Sequence, residues 1–350
     1  MIKLEKRSFV LGLFVCSAFC WLLEVQRSLF SIQCDYLALI LGISTLASVV
    51  AYVIIRKNWT NVLVHGMYRE SLEKRIAQFK DGVDERSSCV LDYVHACMDN
   101  AMFWNFPSRK ASIPFHQYED QKNWLKEAAA VRQKCAERGI SGVFQEVFYF
   151  HHRLRFAQEK VLEHIRERDI LDCGAYVGDS ALVLEPYTNG IIYSFEFSRK
   201  SITKFRKVMQ KNEITSKVVL IEAALGDHCT TVNVADSGKH NNGLSICAAG
   251  DPVPMTTVDE EVKKRGLNVG FIKADLEGYG FKMIRGALNT IKTQRPVLSI
   301  GIYHNYEELF EITPFLQKEV KDYLFEFQLH RFAERKFVEL TLFCYPKELK

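Results

Sequence analysis

Asp169-Ile170-Leu171-Asp172-Cys173-Gly174-Ala175-Tyr176-Val177-Gly178-Asp179-Ser180 decides the fold of the larger part of this chain. Its first five residues form a short apolar strand that runs into a turn, and the turn opens a helix. Gly174 and Gly178 let the backbone of that turn approach a ligand closely. Many α/β proteins carry such a turn, so the spacing by itself says little. A dinucleotide fingerprint would read GxGxxG, and here Ala175-Tyr176 occupies its middle.

Downstream, strands and helices alternate. Ile191–Glu196 reads as a second strand, and a helix runs from Ser198 to about Asn212. Val218–Glu222, Gly270–Asp275 and Pro296–Ile302 read as further strands, with helices over Phe281–Lys292 and Tyr306–Gln317. Tyr323–His330 and Phe337–Cys344 close the half as a hairpin. Such alternation means a mostly parallel sheet covered on both faces. Ligands of these sheets sit beyond the C-terminal strand ends, near the point where strand order reverses.

Two carboxylates stand at such ends. Asp172 at the mouth of the first strand would repel a pyrophosphate but suits a sulfonium and an amino group. Glu196 ends the second strand, 24 residues later, where a carboxylate accepts both hydroxyls of a ribose. Together they favour a nucleoside that carries no phosphate. Each alone serves equally well as a helix cap.

Asp172-Cys-Gly-Ala-Tyr-Val-Gly-Asp-Ser180, Tyr193-Ser-Phe-Glu196, Thr257-Val-Asp259 and Ile272-Lys-Ala-Asp-Leu-Glu-Gly278 together resemble the successive motifs of the FkbM family. Ile284-Arg-Gly-Ala287, Arg295-Pro-Val297 and Tyr303-His-Asn305 continue the resemblance in order and spacing, from about Phe148 to the C-terminus. It implies a class I methyltransferase-like, Rossmann-like fold that uses S-adenosylmethionine, acting mostly on hydroxyls of sugars or polyketides. It further implies that Asp172, Gly174, Ala175 and Gly178 line the methionine end of the cofactor and Glu196 its ribose. Glu222 and Ala223 would lie beside the adenine, and Asp275 and Glu277 would face the departing methyl group. A structural role for Glu277-Gly278, capping the next helix, is equally open.

An alcohol nucleophile must lose its proton as it attacks. His304 at the end of the fifth strand is the expected neutral base, and Asp275 is the second choice. No ligand cluster argues for a metal, although Asp275, Glu277 and His304 could hold one with help from substrate oxygens. Two other readings stay open: a nicotinamide-dependent sugar oxidoreductase or epimerase, and an inactive scaffold that keeps the methyltransferase fold. The missing GxGxxG and the lack of a convincing Tyr-x-x-x-Lys pair count against the first.

The N-terminal part reads differently. Tyr36–Ile55 is an uncharged apolar run of membrane-spanning length, bounded by Asp35 and by Arg56-Lys57. Phe9–Leu23 is shorter and follows Lys3, Lys6 and Arg7, so residues 1–57 are expected to form a transmembrane helical hairpin. Its positive flanks place both ends in the cytoplasm, with the folded domain at the cytoplasmic membrane facing inward. Asn58-Trp59-Thr60 matches a glycosylation sequon but lies on that cytoplasmic side, so it reads as chance. Residues 58–150 are expected to be a helical accessory segment, with helices over Glu70–Phe79 and Asn123–Arg138, and residues 151–350 the methyltransferase domain. Adjacent His151-His152 make a poor metal pair and read as a packed or surface pair.

Composition sets outer limits. Hydrophobic residues make up 48% and charged residues 25%, which suits packed cores. A formal net charge of +4 gives no argument for nucleic acid. The ten cysteines are scattered without a CxxC pair, as buried free thiols in a reducing compartment would be.

Overall fold

The structure is a computed structural model that describes residues 74–99, 119–140, 145–236, 244–247, 250–331 and 338–350. Residues 73–350 form one compact unit. Both expected spans, Phe9–Leu23 and Tyr36–Ile55, lie outside the described residues, as do the Asn58 sequon and the Asp35 and Arg56-Lys57 flanks. Among the described residues, no helix is long and apolar enough to cross a membrane.

Numbered in chain order, the helices are α1 (Glu85–Asp99), α2 (Glu119–Glu137), α3 (Gln145–Phe150), α4 (Glu159–Arg166), α5 (Asp179–Leu184) and α6 (Arg199–Lys211). They continue with α7 (Val258–Arg265), α8 (Gly280–Arg285), α9 (Leu288–Gln294) and α10 (Tyr306–Glu319). The strands are β1 (Asp169–Cys173), β2 (Ile192–Phe195), β3 (Val218–Ile221), β4 (Ala224–Leu225), β5 (Thr230–Asp236) and β6 (Leu244–Cys247). They end with β7 (Asp251–Thr256), β8 (Val269–Ala274), β9 (Val297–Gly301), β10 (Tyr323–Arg331) and β11 (Val338–Pro346).

The main sheet has seven strands in the order β10-β11-β9-β8-β1-β2-β3. Five are parallel, while β11 runs antiparallel between β9 and β10. Every residue of β8 and β9 is buried, as parallel strands covered on both faces must be. Strand order reverses between β1 and β8, and their register pairs Asp172 with Lys273 and Cys173 with Ala274. The exits of these two strands, at Gly174 and Asp275, therefore flank the crevice where such sheets bind ligands.

The helical segment ahead of the sheet shares its core. Trp124 of α2 and Tyr149 and Phe150 of α3 cluster with Ile170, Ala175 and Phe343. Phe327 of β10 stacks on Phe79, and its N–H donates to Ser87 Oγ on α1 at 2.8 Å. The packing thus continues across residue 150, so the described part of the accessory segment builds one unit with the sheet.

Three features depart from the sequence reading. A second, four-stranded sheet, β4-β7-β5-β6, stands between β3 and β8 in the chain. Helix α7 was not anticipated either; Thr257 caps it by accepting from Glu260 N at 3.1 Å. The single helix expected over Phe281–Lys292 is two, parted at Gly286-Ala287, where a Cβ on Gly286 would lie 2.1 Å from the Gly226 carbonyl oxygen. Asp259 then caps the second of them, accepting from Thr290 N at 2.7 Å.

Candidate functional site

The glycine turn begins where β1 leaves the sheet. Gly174 has φ +87°, and a Cβ there would lie 2.0 Å from the carbonyl oxygen of Asp275. Only glycine lets the two strand exits come this close. Gly178 has φ +91° and caps α5, and its missing Cβ makes room for Met209 of α6, 2.5 Å from where that atom would stand. Both glycines therefore serve the packing of the turn itself. Ala175 is buried, and its N–H donates to the Phe195 carbonyl at 2.9 Å.

Beneath the turn lies a buried ion pair that the sequence reading missed. Lys273 of β8 donates to the Gly174 carbonyl at 2.7 Å and pairs with Asp172 Oδ1 at 3.2 Å. The Asp172 side chain is 0% exposed, and Ser194 Oγ donates to its other oxygen at 3.2 Å. Asp172 thus faces Lys273 under the turn rather than an open cleft. Burial works against the Lys273 ammonium, but Asp172, Asp275 and Asp179 outweigh it and raise its pKa. Asp179, the first residue of α5, is pushed up to about 7, mainly by burial, with Asp172 and Asp275 adding and Lys273 opposing.

Glu196 stands at the end of β2, as expected, and the protein already engages both of its oxygens. Oε1 accepts from the N–H groups of Phe197 at 2.8 Å and Ser198 at 2.7 Å, and Oε2 accepts from Tyr176 N at 2.9 Å. Oε2 keeps acceptor capacity beyond this one bond. Glu222 points outward and pairs with Arg206 of α6, while Ala223 is buried.

At the exit of β8, Asp275 is held from two sides. The Tyr303 hydroxyl donates to its oxygens at 3.2 and 3.3 Å, and His304 Nε2 lies 3.0 Å from Oδ1. His304 Nδ1 lies 2.9 Å from Oε2 of Glu308, a fully buried carboxylate whose other oxygen accepts from Gly280 N. Burial disfavours the charged ring, yet Asp275 and Glu308 outweigh it and raise the His304 pKa well above its ordinary value. Burial likewise raises the Asp275 carboxyl, but His304, Lys273 and His152 together hold it well below the usual range.

His304, the expected base, thus has a carboxylate against each of its ring nitrogens. An imidazolium with a carboxylate at each nitrogen has no lone pair to offer. The buried ring holds Asp275 from one side and Glu308 holds the ring. Glu277 Oε2 lies 4.0 Å from His304 Nε2. Among the described residues, no group of three or more His, Cys, Asp or Glu is arranged to hold a metal. Glu277 and Gly278 both have positive φ, and Asn305 donates to the Gly278 carbonyl at 3.0 Å while capping α10.

The three residues of the His151-His152-Arg153 turn all have positive φ, at 49°, 52° and 79°. Each side chain is tied to a different element. His151 Nδ1 lies 2.8 Å from the Tyr187 hydroxyl, His152 Nε2 lies 3.0 Å from Ser180 Oγ on α5, and Arg153 pairs with Glu326 of β10 at 3.2 Å. Their adjacency was legible in the sequence; the turn that aims them was not.

Residues 172–332 match the family model described as the methyltransferase FkbM domain. Among solved structures, the fold resembles methyltransferase FkbM from Methylobacillus flagellatus KT, with 15% identity and a TM-score of 0.41 over 67% of this chain. The chain spans 63% of the length of that structure. It also resembles the O-methyltransferase TomG from Streptomyces achromogenes, solved with SAM, at 9% identity and a TM-score of 0.38 over 63% of this chain and 89% of the other. A third likeness is to precorrin-6y C5,15-methyltransferase from Geobacter metallireducens GS-15, at 14% identity and a TM-score of 0.35 over 53% and 85%. Curated proteins gave no match. Asp172, Glu196, Lys273, Asp275 and His304 all fall within the segment that matches the methyltransferase FkbM domain model.

Proposed function

We propose that this domain binds S-adenosylmethionine beyond the ends of β1, β2 and β8 and passes its methyl group to a hydroxyl of a sugar or a lipid-linked glycan precursor. The observation that carries the reading is charge. Lys273 pairs with Asp172 beneath the glycine turn, Asp179 and Asp275 add negative charge to its surroundings, and Glu196 stands at the end of β2. That excess of carboxylate repels a pyrophosphate and favours a ligand bearing a sulfonium and an ammonium. A cationic ligand would also keep Asp179, balanced near neutrality, in its ionised form.

When bound, S-adenosylmethionine supplies a methyl group on a positively charged sulfur, ready for in-line displacement. The chain's own contribution is to bind and orient. Glu196 Oε2 offers its remaining acceptor capacity to the ribose, and Glu222 and Ala223 flank the adenine position. Asp275, fixed by Tyr303 and His304, presents a carboxylate of set orientation beside the reacting centre. The N-terminal hairpin would tether this domain to the cytoplasmic face of the membrane, close to lipid-linked acceptors.

Calorimetric titration of the full chain in detergent with S-adenosylmethionine and with NAD tests the reading. Binding of the first and not the second is expected. Binding of NAD alone would overturn it in favour of the nicotinamide enzyme. Mass spectrometry of surface glycans with and without the gene would then identify the acceptor by the missing methyl group.

A further inference from the structure

Helix α6 carries its charge on one side and in one sign. Eight of its residues are exposed, and six of these are cations: Arg199, Lys200, Lys204, Arg206, Lys207 and Lys211. At about 100° per residue they fall within an arc of about 160°. Ile202, Phe205, Val208 and Met209 fill the opposite arc and are buried. The helix holds no acid. Outside it, Glu222 pairs with Arg206, and Glu213 follows the last turn. Arg138, just past α2, adds a further cation, bonded to Asn212 at the C-terminal end of α6.

This arrangement runs against helix stability. Arg199 and Lys200 stand in the first turn, where the helix dipole favours acids. Lys200 with Lys204, and Lys207 with Lys211, are like charges four residues apart, which destabilise a helix. By contrast, α7 puts acids first and bases last, and α2 mixes the two signs. A face kept only for solubility would mix them in the same way. Cations held at a cost to their own helix point to an anionic partner.

Position and composition choose among such partners. The helical stretch 74–80 docks at the β10 edge, where Phe79 stacks on Phe327. Helix α6 is the crossover from β2 to β3 and so lies toward the opposite edge, about 29 Å away across the seven strands. A tether at the N-terminus therefore holds one edge of the sheet and leaves the other free. The exposed face of α6 bears no aromatic side chain, which a single-stranded nucleic acid would need for stacking. Phospholipid headgroups need charge alone.

We propose that the basic face of α6 binds the anionic phospholipid surface of the membrane and so fixes the free edge of the domain against it. The tether proposed above supplies the other attachment; the α6 contact itself rests on charge.

The test uses the full chain reconstituted in lipid nanodiscs, either of phosphatidylcholine alone or of equal parts phosphatidylcholine and phosphatidylglycerol. Acetylation rates of Lys200, Lys204, Lys207 and Lys211 are followed by mass spectrometry, with the exposed Lys263 and Lys264 of α7 as reference. A surface at about −30 mV concentrates protons about threefold, so amines lying against it should acetylate at least about threefold more slowly. The slowing is expected at the α6 lysines only and in the anionic discs only. It should vanish in about 1 M salt, where charges are screened beyond about 3 Å. Lys204→Glu together with Lys207→Glu should restore Lys200 and Lys211 to their rates in neutral discs. That double variant should melt no lower than wild type, because it relieves like-charge neighbours.

Equal rates in the two discs would overturn the proposal, as would slowing in neutral discs or protection that survives the double substitution. A lower melting temperature would remove the cost on which it rests. Slowing caused by a homopolymer RNA in neutral discs would give the face to nucleic acid and equally overturn it. If the chain enters neither disc, the tether fails instead. The same lysines are then read on the chain mixed with vesicles of the two compositions, and the same outcomes decide.

Discussion

Lys273 Nζ lies 2.7 Å from the Gly174 carbonyl oxygen and 3.2 Å from Asp172, so a single ammonium fastens the glycine turn to the neighbouring strand. Both side chains are buried, and removing one partner strands the other charge. Lys273→Met should therefore destabilise the full chain by about 3–5 kcal/mol, read as a lower midpoint in urea. Adding Asp172→Leu should return a good part of that loss, because two apolar residues are tolerated where one orphaned carboxylate is not. A double variant no more stable than the single would show that shape, not charge, governs the site.

Gly174 and Gly266 make an internal control for the turn. Both have positive φ, but a Cβ on Gly266 meets nothing within 4 Å, whereas on Gly174 it meets the Asp275 carbonyl at 2.0 Å. Gly266→Ala should cost only the left-handed penalty of about 1–2 kcal/mol. Gly174→Ala should lower the melting temperature well beyond that and abolish cofactor binding. Equal shifts for the two variants would mean that the strand exits part freely.

His304 makes a pH-dependent contribution to stability whose sign follows from its raised pKa. The folded state holds the proton more tightly, so the contribution is complete below the unfolded value of about 6.5 and fades as pH rises through the folded value. Asp275, held low, contributes above its unfolded value of about 3.9 and loses that contribution as pH falls through its folded value. Wild type minus His304→Gln in urea should thus be flat between these limits and shrink toward alkaline pH. The fall should begin as pH passes about 6.5, and a difference that stays flat through and above that pH would mean that the ring is not locked between its carboxylates.

Glu196 has two duties that substitution can separate. Glu196→Ala should weaken S-adenosylmethionine binding by about 1.5–3 kcal/mol, roughly ten- to a hundredfold, because a charged acceptor is lost. It also frees the N–H groups of Tyr176, Phe197 and Ser198, so the turn should exchange amide hydrogen faster. Unchanged affinity in a folded variant would remove the ribose assignment.

The proposed hairpin is open to reporter fusion. A reporter joined after Lys57 should be active on the cytoplasmic side, and one at Gln33 on the opposite side. The reverse pattern would separate the domain from its cofactor.

The main sheet was legible because its central strands are short apolar runs that end at glycine or at acids, and burial on both faces demands that pattern. The small sheet was hidden by Pro252 and Pro254 in β7, since proline argues against an interior strand. The fold accommodates them because β4 pairs only with Met255 and Thr256, so that side of β7 is open beside the prolines. Helix α7 did leave a trace: Thr257-Val258-Asp259-Glu260 has the spacing of a capping box. At the site, the sequence located the acids but not their state. His304 reads as a neutral strand-end histidine until Glu308, one helical turn later, is seen to swing back beneath it. Lys273 is a lone lysine in an apolar strand, and only the register with Asp172 explains its burial.

Because β11 sits between β9 and β10, β10 has no neighbour in the sheet until β11 has been made. On a growing chain, Phe325, Phe327 and Leu329 would emerge as a strand with apolar side chains and no partner. A second nascent chain in the same condition offers them one, edge to edge. The interval between synthesis of residue 331 and of residue 346 is thus when this protein most needs a chaperone or spacing from its neighbours on the message.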